Sequence, residues 1–283
     1  IISRYNIPEW LYNKTMTLIK DKKLMIITGA CSSTGVLAIK QFKNDYNLLL
    51  LDTSIKSLRK IKSEFAPHAN ILAFDITSTV SRSELNKTLQ KFGGFDYLLH
   101  FAKRGPQTKD ISLIYKVNLI GTIKLFNKLY PHINEHGLVI NLSASRAYLT
   151  PIPAVVFPLL NDPLRSSFLD EILPHTTDAA LAYGWSKFAS ACFAKSESRK
   201  WGLKEASIVN IFPNFIEDTT KINDVTTCRQ TIELLQKSEY KETNKVDLLN
   251  FIKTLLKGES PQYNGKNIIF ESPTSIRYIN DIS

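Results

Sequence analysis

Tyr183 and Lys187 are the residues whose types and spacing point most directly to chemistry. They lie four residues apart in the stretch LAYGWSKFASACFAKS, whose pattern predicts a helix. Residues at positions i and i+4 share one helix face, so the lysine ammonium can lie beside the tyrosine hydroxyl. A free tyrosine has a pKa of about 10, and a neighbouring cation lowers that pKa because it favours the phenolate. The pair therefore predicts a general acid and base.

The elements that would position this pair alternate between strands and helices. Seven short apolar runs predict strands at residues 23–28, 47–51, 70–74, 97–101, 138–142, 206–212 and 267–270. The segments between them predict helices, including 109–130 around Asn118 and 246–257 near the end. Strands that alternate with helices form a parallel sheet covered on both faces. We therefore expect an α/β fold with a doubly wound, Rossmann-type sheet that binds ligands at the carboxyl ends of its strands.

The turn after the first strand has the composition of a phosphate-binding loop. Its expected cofactor-binding residues are Gly29, Ser32, Ser33, Thr34 and Gly35. In such a loop, backbone N–H groups at a helix N-terminus face a pyrophosphate. The dinucleotide fingerprint has three glycines, whereas Ser33 fills the middle place here. Two glycines in an ordinary turn are the alternative interpretation.

Asp52 ends the second strand, 23 residues after Gly29. An acid at this place accepts hydrogen bonds from the ribose hydroxyls of NAD and would repel the 2′-phosphate of NADP. We therefore favour NAD over NADP. The alternative role for Asp52 is to cap the following helix. Asp75, at the end of the third strand, could likewise contact the adenine or cap the next helix.

The motifs TGACSSTG, FDIT, KVNLIGTIKL, INLSAS, YGWSK and NIFPNF occur in the order found in short-chain dehydrogenases/reductases. The chain resembles that family from about Lys22 to its last strand. At LAYGWSK it resembles the bacterial 3α-hydroxysteroid dehydrogenase/carbonyl reductase branch. The resemblance implies an NAD(H)-dependent homo-oligomeric oxidoreductase that interconverts a secondary alcohol and a ketone by hydride transfer.

The same resemblance implies roles for individual residues. Tyr183 would carry the substrate proton, and Lys187 would bind the nicotinamide ribose and lower the pKa of the tyrosine. Asn118 would hold a water in the proton relay. Ala102 and Pro213 fall at positions where the family contacts its cofactor.

A serine at the end of the fifth strand would orient the substrate oxygen in this family. Strict register puts its place on Ala144, with Ser143 and Ser145 on either side. On a strand these two serines share one face, and a bulge could bring either into position. We favour Ser145 over Ser143. Lys103 and Asn214 stand where the family usually has glycine.

Residues 147–182 predict an insertion before the tyrosine helix, in a domain that spans 23–283 after an N-terminal extension at 1–22. The insertion is rich in proline and apolar residues. Long segments of this kind are often functional. A substrate lid and a packing element or subunit contact are the two interpretations.

Composition excludes several other classes of protein. The net charge is +10, from 36 basic and 26 acidic residues, but the lysines are scattered among acids, which argues against nucleic-acid binding. No apolar run reaches the roughly 18 residues that cross a membrane. Cys31, Cys192 and Cys228 are too widely spaced for a disulfide framework or a metal site. We expect a cytoplasmic protein without a metal that acts on a small molecule.

Two other functions stay open from the sequence. A nucleotide-sugar epimerase or dehydratase of the extended family shares the tyrosine–lysine pair, although its glycine spacing would need glycine at Ser32. A non-catalytic dinucleotide-binding regulator is suggested by the departures at Ser33, Lys103 and Ala144. Retention of the tyrosine–lysine pair favours an enzyme, because a binding protein has no need of an activated phenol.

Overall fold

The protein is described by a computed structural model that covers residues 18–214, 243–258 and 260–279. Residues 1–17 of the expected N-terminal extension and Cys228 lie outside the described residues. The strands are β1 Leu24–Thr28, β2 Asn47–Asp52, β3 Asn70–Ala73, β4 Phe95–His100, β5 Ile133–Leu142, β6 Ser207–Pro213, β7 Asn267–Ser272 and β8 Ser275–Ile279.

Helices connect most of these strands. The α-helices are α1 Ser33–Phe42, α2 Ile55–Phe65, α3 Thr79–Phe92, α4 Ile111–Tyr115, α5 Thr122–Leu129, α6 Arg146–Leu149, α7 Phe157–Asn161, α8 Phe168–Ile172, α9 Ala179–Gly202 and α10 Lys245–Lys257. Short 3₁₀-helices lie at Tyr130–His132, Leu173–His175 and Ser260–Tyr263. None of the helices in the described segments is long and apolar enough to span a membrane.

All eight described strands belong to one sheet, in the order β3-β2-β1-β4-β5-β6-β7-β8. Neighbours from β3 to β7 pair in parallel, and β8 pairs antiparallel to β7. The chain runs outward from β1 to β3 and then returns to β4 on the other side of β1. This reversal makes the sheet doubly wound. The predicted α/β, Rossmann-type fold is confirmed.

The edge strand β8 is the element that the sequence prediction lacked. Ile276 packs against the core, but Tyr278, two residues later on the same face, is exposed, so β8 has no continuous apolar run. The prediction instead relied on continuous apolar runs, which suit the parallel strands because helices cover both of their faces.

The core lies in layers on the two faces of the sheet. The face that includes Ile27 and Leu99 packs against α1, α2 and α10. The face that includes Ile26 and Leu98 packs against α3, α5 and α9. The long helix α9 is therefore fixed over β5 and β6, where it carries the tyrosine–lysine pair.

The helix predicted over 109–130 is interrupted in its middle. It starts after the N-cap Asp110, and a π-helix at Lys116–Gly121 then separates α4 from α5. A π-helical turn adds one residue to the turn, which leaves the apolar pattern of the sequence almost unchanged. Such turns are rare and often mark functional sites, and this one contains Asn118.

The predicted insertion at 147–182 contains short helices that pack against α4 and α9. Its apolar residues share a core with both helices: Val156, Leu160, Phe168 and Ile172 lie with Tyr115 and Trp185. Two hydrogen bonds cross the same interface. The Trp185 Nε1–H donates to the carbonyl oxygen of Pro151 at 2.8 Å, and the hydroxyls of Tyr115 and Thr176 are 3.0 Å apart.

Candidate active site

The carboxyl ends of β1, β2 and β4 border a cleft of about 300 Å³. Five of the residues predicted to bind the cofactor line it: Gly29, Ser32, Asp52, Asp75 and Ala102. The other predicted residues are not among those that line it. Ser33 is exposed at the start of α1, Thr34 and Gly35 are buried in that first turn, and Pro213 ends β6.

The two glycines of the first turn are required by close backbone contacts. Gly29 has φ +65°, and a Cβ there would lie 2.8 Å from the backbone nitrogen of Ala102. A Cβ on Gly35 would lie 2.5 Å from the carbonyl oxygen of Gly29. The first glycine therefore lets the turn pass against β4, and the second lets α1 pack against the turn. These are the positions at which a dinucleotide-binding turn needs glycine.

Ser32 is the N-cap of α1. Its hydroxyl donates to the carbonyl oxygen of Gly29 at 2.7 Å and accepts the N–H of Gly35 at 3.1 Å. Among the described residues, none accepts a hydrogen bond from the N–H groups of Ser33 and Thr34. Two backbone donors at this helix N-terminus are therefore available to an anion, in a setting that favours negative charge.

Asp52 does not cap the helix that follows it. The N-cap of α2 is Ser54, whose hydroxyl accepts the N–H of Ser57 at 3.2 Å. The Asp52 carboxylate instead accepts the N–H of Cys31 at 2.9 Å and lines the cleft. Burial, together with the Asp52 charge, raises the pKa of the Cys31 thiol to about 12, so this thiol stays protonated.

Asp75 has a similar arrangement at the end of β3. Its carboxylate accepts the N–H and the hydroxyl of Thr77, at 2.8 and 2.7 Å. The cap of α3 is Ser78, because the helix starts one turn later than the capping interpretation required. Asp75 therefore closes a local turn and lies at the cleft with part of its carboxylate exposed.

Tyr183 and Lys187 lie in the first half of α9. Asp178 starts this helix by accepting the N–H groups of Ala180 and Leu181, at 2.8 and 2.9 Å. The Tyr183 side chain is 6% exposed and its hydroxyl bonds to none of the described residues. One turn of helix therefore separates this hydroxyl from the lysine.

Lys187 is buried, and its ammonium donates to the carbonyl oxygen of Leu142 at 2.9 Å. Burial lowers the pKa of Lys187 to about 7, and the positive charge of Lys103 adds to this effect. An ammonium removed from water loses hydration that one carbonyl oxygen replaces only in part. The Leu142 carbonyl at the end of β5 thus holds the ammonium in a position where burial destabilises its protonated form.

The two candidate serines have different surroundings. The strand β5 ends at Leu142, so Ser143 and Ser145 do not share a strand face as we expected. The hydroxyl of Ser143 donates to the backbone carbonyl of Lys187 at 3.2 Å. Ser145 has helical dihedral angles, and its N–H donates to the carbonyl oxygen of Pro213 at 3.0 Å. Its buried hydroxyl bonds to no described residue, so Ser145 is the serine that can still contact a ligand.

The side-chain amide of Asn118 is occupied by the protein itself. Its oxygen accepts the N–H of Arg104 at 2.7 Å, and its nitrogen donates to the Arg104 carbonyl at 2.9 Å. The same nitrogen lies 3.3 Å from the hydroxyl of Ser186, which donates to the carbonyl oxygen of Tyr183. Asn118 therefore connects the loop after β4 to the turn of α9 that carries Tyr183.

His100 is a buried residue near the site that the sequence prediction assigned no role. Its Nδ1 lies 2.8 Å from the Thr28 hydroxyl and its Nε2 lies 3.0 Å from the Thr122 hydroxyl. Complete burial and the charge of Lys187 lower its pKa to about 3, so the ring is neutral. His100 joins β1, β4 and α5. The sequence feature that could have identified His100 is its position at the end of a strand that adjoins β1.

The family model for short chain dehydrogenases matches residues 23–156. The match covers just under half of the chain, which resembles this family over that stretch. The uncharacterized oxidoreductase YusZ of Bacillus subtilis is 26% identical over 149 residues, which cover 48% of this chain and 53% of the relative. The 11-beta-hydroxysteroid dehydrogenase B of Arachis hypogaea is 25% identical over 245 residues, which cover 78% and 68%. The match thus spans about half the length of the first relative.

Solved structures share the fold at low sequence identity. The 3-alpha-hydroxysteroid dehydrogenase of Pseudomonas sp. B-0831, in complex with NADH, has a TM-score of 0.68 and 17% identity, over 87% of this chain and 94% of that one. BdcA in complex with NADPH has a TM-score of 0.64 and 16% identity, over 89% and 93%. These similarities show that the chain shares the fold of these proteins.

Three residues near the cleft depart from the pattern of this family. Ser33 starts α1 in place of a glycine, and Lys103 lines the cleft after β4. Ala144 takes the strict position of the orienting serine and packs against the apolar cluster that contains Tyr183. The departures therefore lie on both the nucleotide side and the catalytic side.

Proposed function

We propose that the protein is an NAD(H)-dependent oxidoreductase that interconverts a secondary alcohol and a ketone. The observation that carries this proposal is the position of two groups of residues on the sheet. The glycine turn and Asp52 lie at the carboxyl ends of β1 and β2, and Tyr183 and Lys187 lie on α9, over β5 and β6. A dinucleotide cleft beside a phenol and an ammonium one turn apart suits hydride transfer coupled to proton transfer.

The described residues fit a nicotinamide dinucleotide. Gly29 and Gly35 leave the close backbone approach that this cofactor needs, and the N–H groups of Ser33 and Thr34 can face its phosphates. Asp52 has carboxylate oxygens at the cleft for ribose hydroxyls, and this negative charge favours NAD over NADP. The bound nicotinamide would supply the hydride acceptor or donor.

The side chains of the chain itself would handle the proton. The Tyr183 hydroxyl would accept a proton from the substrate alcohol or donate one to the substrate ketone. The Lys187 ammonium, fixed by the Leu142 carbonyl, would favour the phenolate by its charge. Ser145 would hydrogen-bond the substrate oxygen, and Asn118 would keep the loop after β4 in place beside α9.

We propose residues 147–182 as the cover of the substrate site. This proposal is supported by the apolar cluster in which Tyr183 lies together with Leu160 and Phe168 of the insertion. The ring of Phe157 also lies 6.3 Å from that of Phe188 on α9. A small apolar alcohol or ketone suits such surroundings, and we propose a cytoplasmic homo-oligomer as the working form.

A non-catalytic dinucleotide-binding regulator is the second candidate. It is favoured by Ala144 at the strict serine position and by the engagement of Ser143 with the Lys187 carbonyl. Both candidate functions require cofactor binding, but only the first includes catalytic turnover of a substrate.

The test is to titrate the protein with NADH and NADPH and then to screen secondary alcohols with NAD for turnover. We expect tighter binding of NADH and turnover of at least one alcohol. Binding without turnover across the alcohols and the matching ketones would favour the regulator. Failure to bind either dinucleotide would refute both functions.

A further inference from the structure

Lys103 lies in the cleft and has no partner among the described residues. It follows Ala102, whose backbone passes against Gly29, and it lines the same cleft as Asp52. The side chain is half-buried, and it forms no hydrogen bond or ion pair with any of the described residues. A cation that is partly removed from water without a counter-ion is unfavourable unless a ligand supplies one.

The backbone on both sides of Lys103 is fixed by hydrogen bonds. The N–H of Ala102 donates to the Thr28 hydroxyl at 3.2 Å. The N–H and the carbonyl of Arg104 both bond to the Asn118 amide, at 2.7 and 2.9 Å. Lys103 is thus attached at a defined place beside the cleft, unlike a lysine on a free surface loop.

A second cation makes the charge of Lys103 more unfavourable. Lys187 is buried nearby, and the positive charge of Lys103 opposes its protonation. The carboxylates of the cleft already accept hydrogen bonds from the protein, Asp52 from Cys31 and Asp75 from Thr77. An anionic ligand would relieve the repulsion between the two lysines.

Some of the backbone N–H groups of the glycine turn are already bonded within the protein and cannot bind a ligand. The Ser32 hydroxyl takes up the N–H of Gly35, and Ser33 adds a side chain at the position where the fingerprint has glycine. An anion at the start of α1 would therefore be bound by fewer backbone N–H groups and would gain from a cation on the facing loop. Lys103 is on that loop.

We propose that Lys103 binds the pyrophosphate of the dinucleotide cofactor from the side opposite the N-terminus of α1. The proposal rests on the proposed function, because it concerns the same cofactor. It assigns to a lysine part of the phosphate binding that a glycine-rich turn otherwise provides through backbone N–H groups alone.

The test compares Lys103→Met with Lys109→Met, which removes an exposed positive charge outside the residues that line the cleft. Dissociation constants for NADH, NADPH and ADP are measured by calorimetry on wild type and both variants. Loss of a charge-assisted hydrogen bond should weaken all three ligands roughly ten- to a hundred-fold in Lys103→Met. Lys109→Met should bind like the wild type, and Lys103→Arg should recover most of the affinity.

Several results would overturn the assignment. Unchanged affinity of Lys103→Met for NADH and ADP would exclude a phosphate contact. A loss confined to NADPH would move the contact to the 2′-phosphate. A change in the KM of the substrate, with unchanged NADH affinity, would move it to an anionic substrate. If wild type itself binds no dinucleotide, the proposed function fails, and that result is distinct from a variant that binds as wild type does.

Discussion

On the β1 and β2 side of the cleft, the residues that would meet a dinucleotide also hold the loops of the protein. Ser32 caps α1, and Asp52 fixes Cys31. On the β5 and α9 side, the hydroxyls of Tyr183 and Ser145 bond to no described residue. The nucleotide side is thus organised before a ligand binds, whereas the catalytic side has polar groups left for a substrate. Binding and turnover should therefore be separable by mutation.

Tyr183→Phe should have the largest effect, because it removes the proton carrier and little binding surface. We expect kcat to fall by about 10² to 10⁴-fold, the usual contribution of a general acid or base. The dissociation constant for NADH should stay within about two-fold of wild type. Steady-state kinetics and calorimetry measure the two quantities, and full turnover by the variant would refute the role of Tyr183.

The two serines give a matched pair on the catalytic side. Ser145→Ala should lower kcat by about 10²-fold, since removal of one hydrogen bond to a reacting oxygen has an effect of this order. Ser143→Ala should leave kcat near the wild-type value and lower the free energy of unfolding by about 1 kcal/mol, because its hydroxyl bonds to the Lys187 carbonyl. The reverse pattern in kinetics and denaturant unfolding would make Ser143 the orienting serine.

A change at Asp52 tests the nucleotide side of the cleft, where we expect binding to change. Asp52→Asn removes the negative charge and keeps an oxygen for the N–H of Cys31. We expect NADH to bind about ten-fold more weakly and NADPH to bind as well as before or better. Titration with both dinucleotides measures this change, and an equal loss for the two would limit Asp52 to holding the turn.

The smallest effect concerns the pH dependence of stability. The pKa of Lys187 falls from 10.5 in the unfolded chain to about 7 in the folded protein. Between these values the unfolded chain binds more protons, so stability rises with pH. It is highest above the unfolded pKa, falls as the pH falls from there towards 7, and levels off below about 7. Relative to Lys187→Met, wild type should gain about 1 kcal/mol between pH 7 and 8 in denaturant unfolding. A flat difference would mean that Lys187 keeps its ordinary pKa.

The sequence predicted features that depend on short spacings. The glycine turn, Asp52 at a strand end and the tyrosine–lysine pair each involve residues within a few positions of one element, and the structure brings the first two to one cleft. The parallel, doubly wound sheet also followed from the alternation of strands and helices, because crossover connections leave few topologies.

Other features depended on where elements start and stop, which composition does not determine. Ser54 caps α2 instead of Asp52, because the helix starts at Ile55. The face shared by Ser143 and Ser145 does not exist, because β5 stops at Leu142. Contacts between distant segments, such as the hydrogen bonds of Asn118 to Arg104, leave no periodic signal in the sequence at all.

The contact between Gly184 and Thr150 limits how residues 147–182 could be exchanged. A Cβ at Gly184 would lie within van der Waals overlap of the Thr150 side chain, so α9 and the insertion fit together only with glycine at this place. The neighbouring Trp185 bonds to Pro151. Residues 147–182 are therefore not an interchangeable module. A variant in which they were exchanged for a short loop would leave a gap beside the helix turn that carries Tyr183, so this segment and the helix can only be exchanged together.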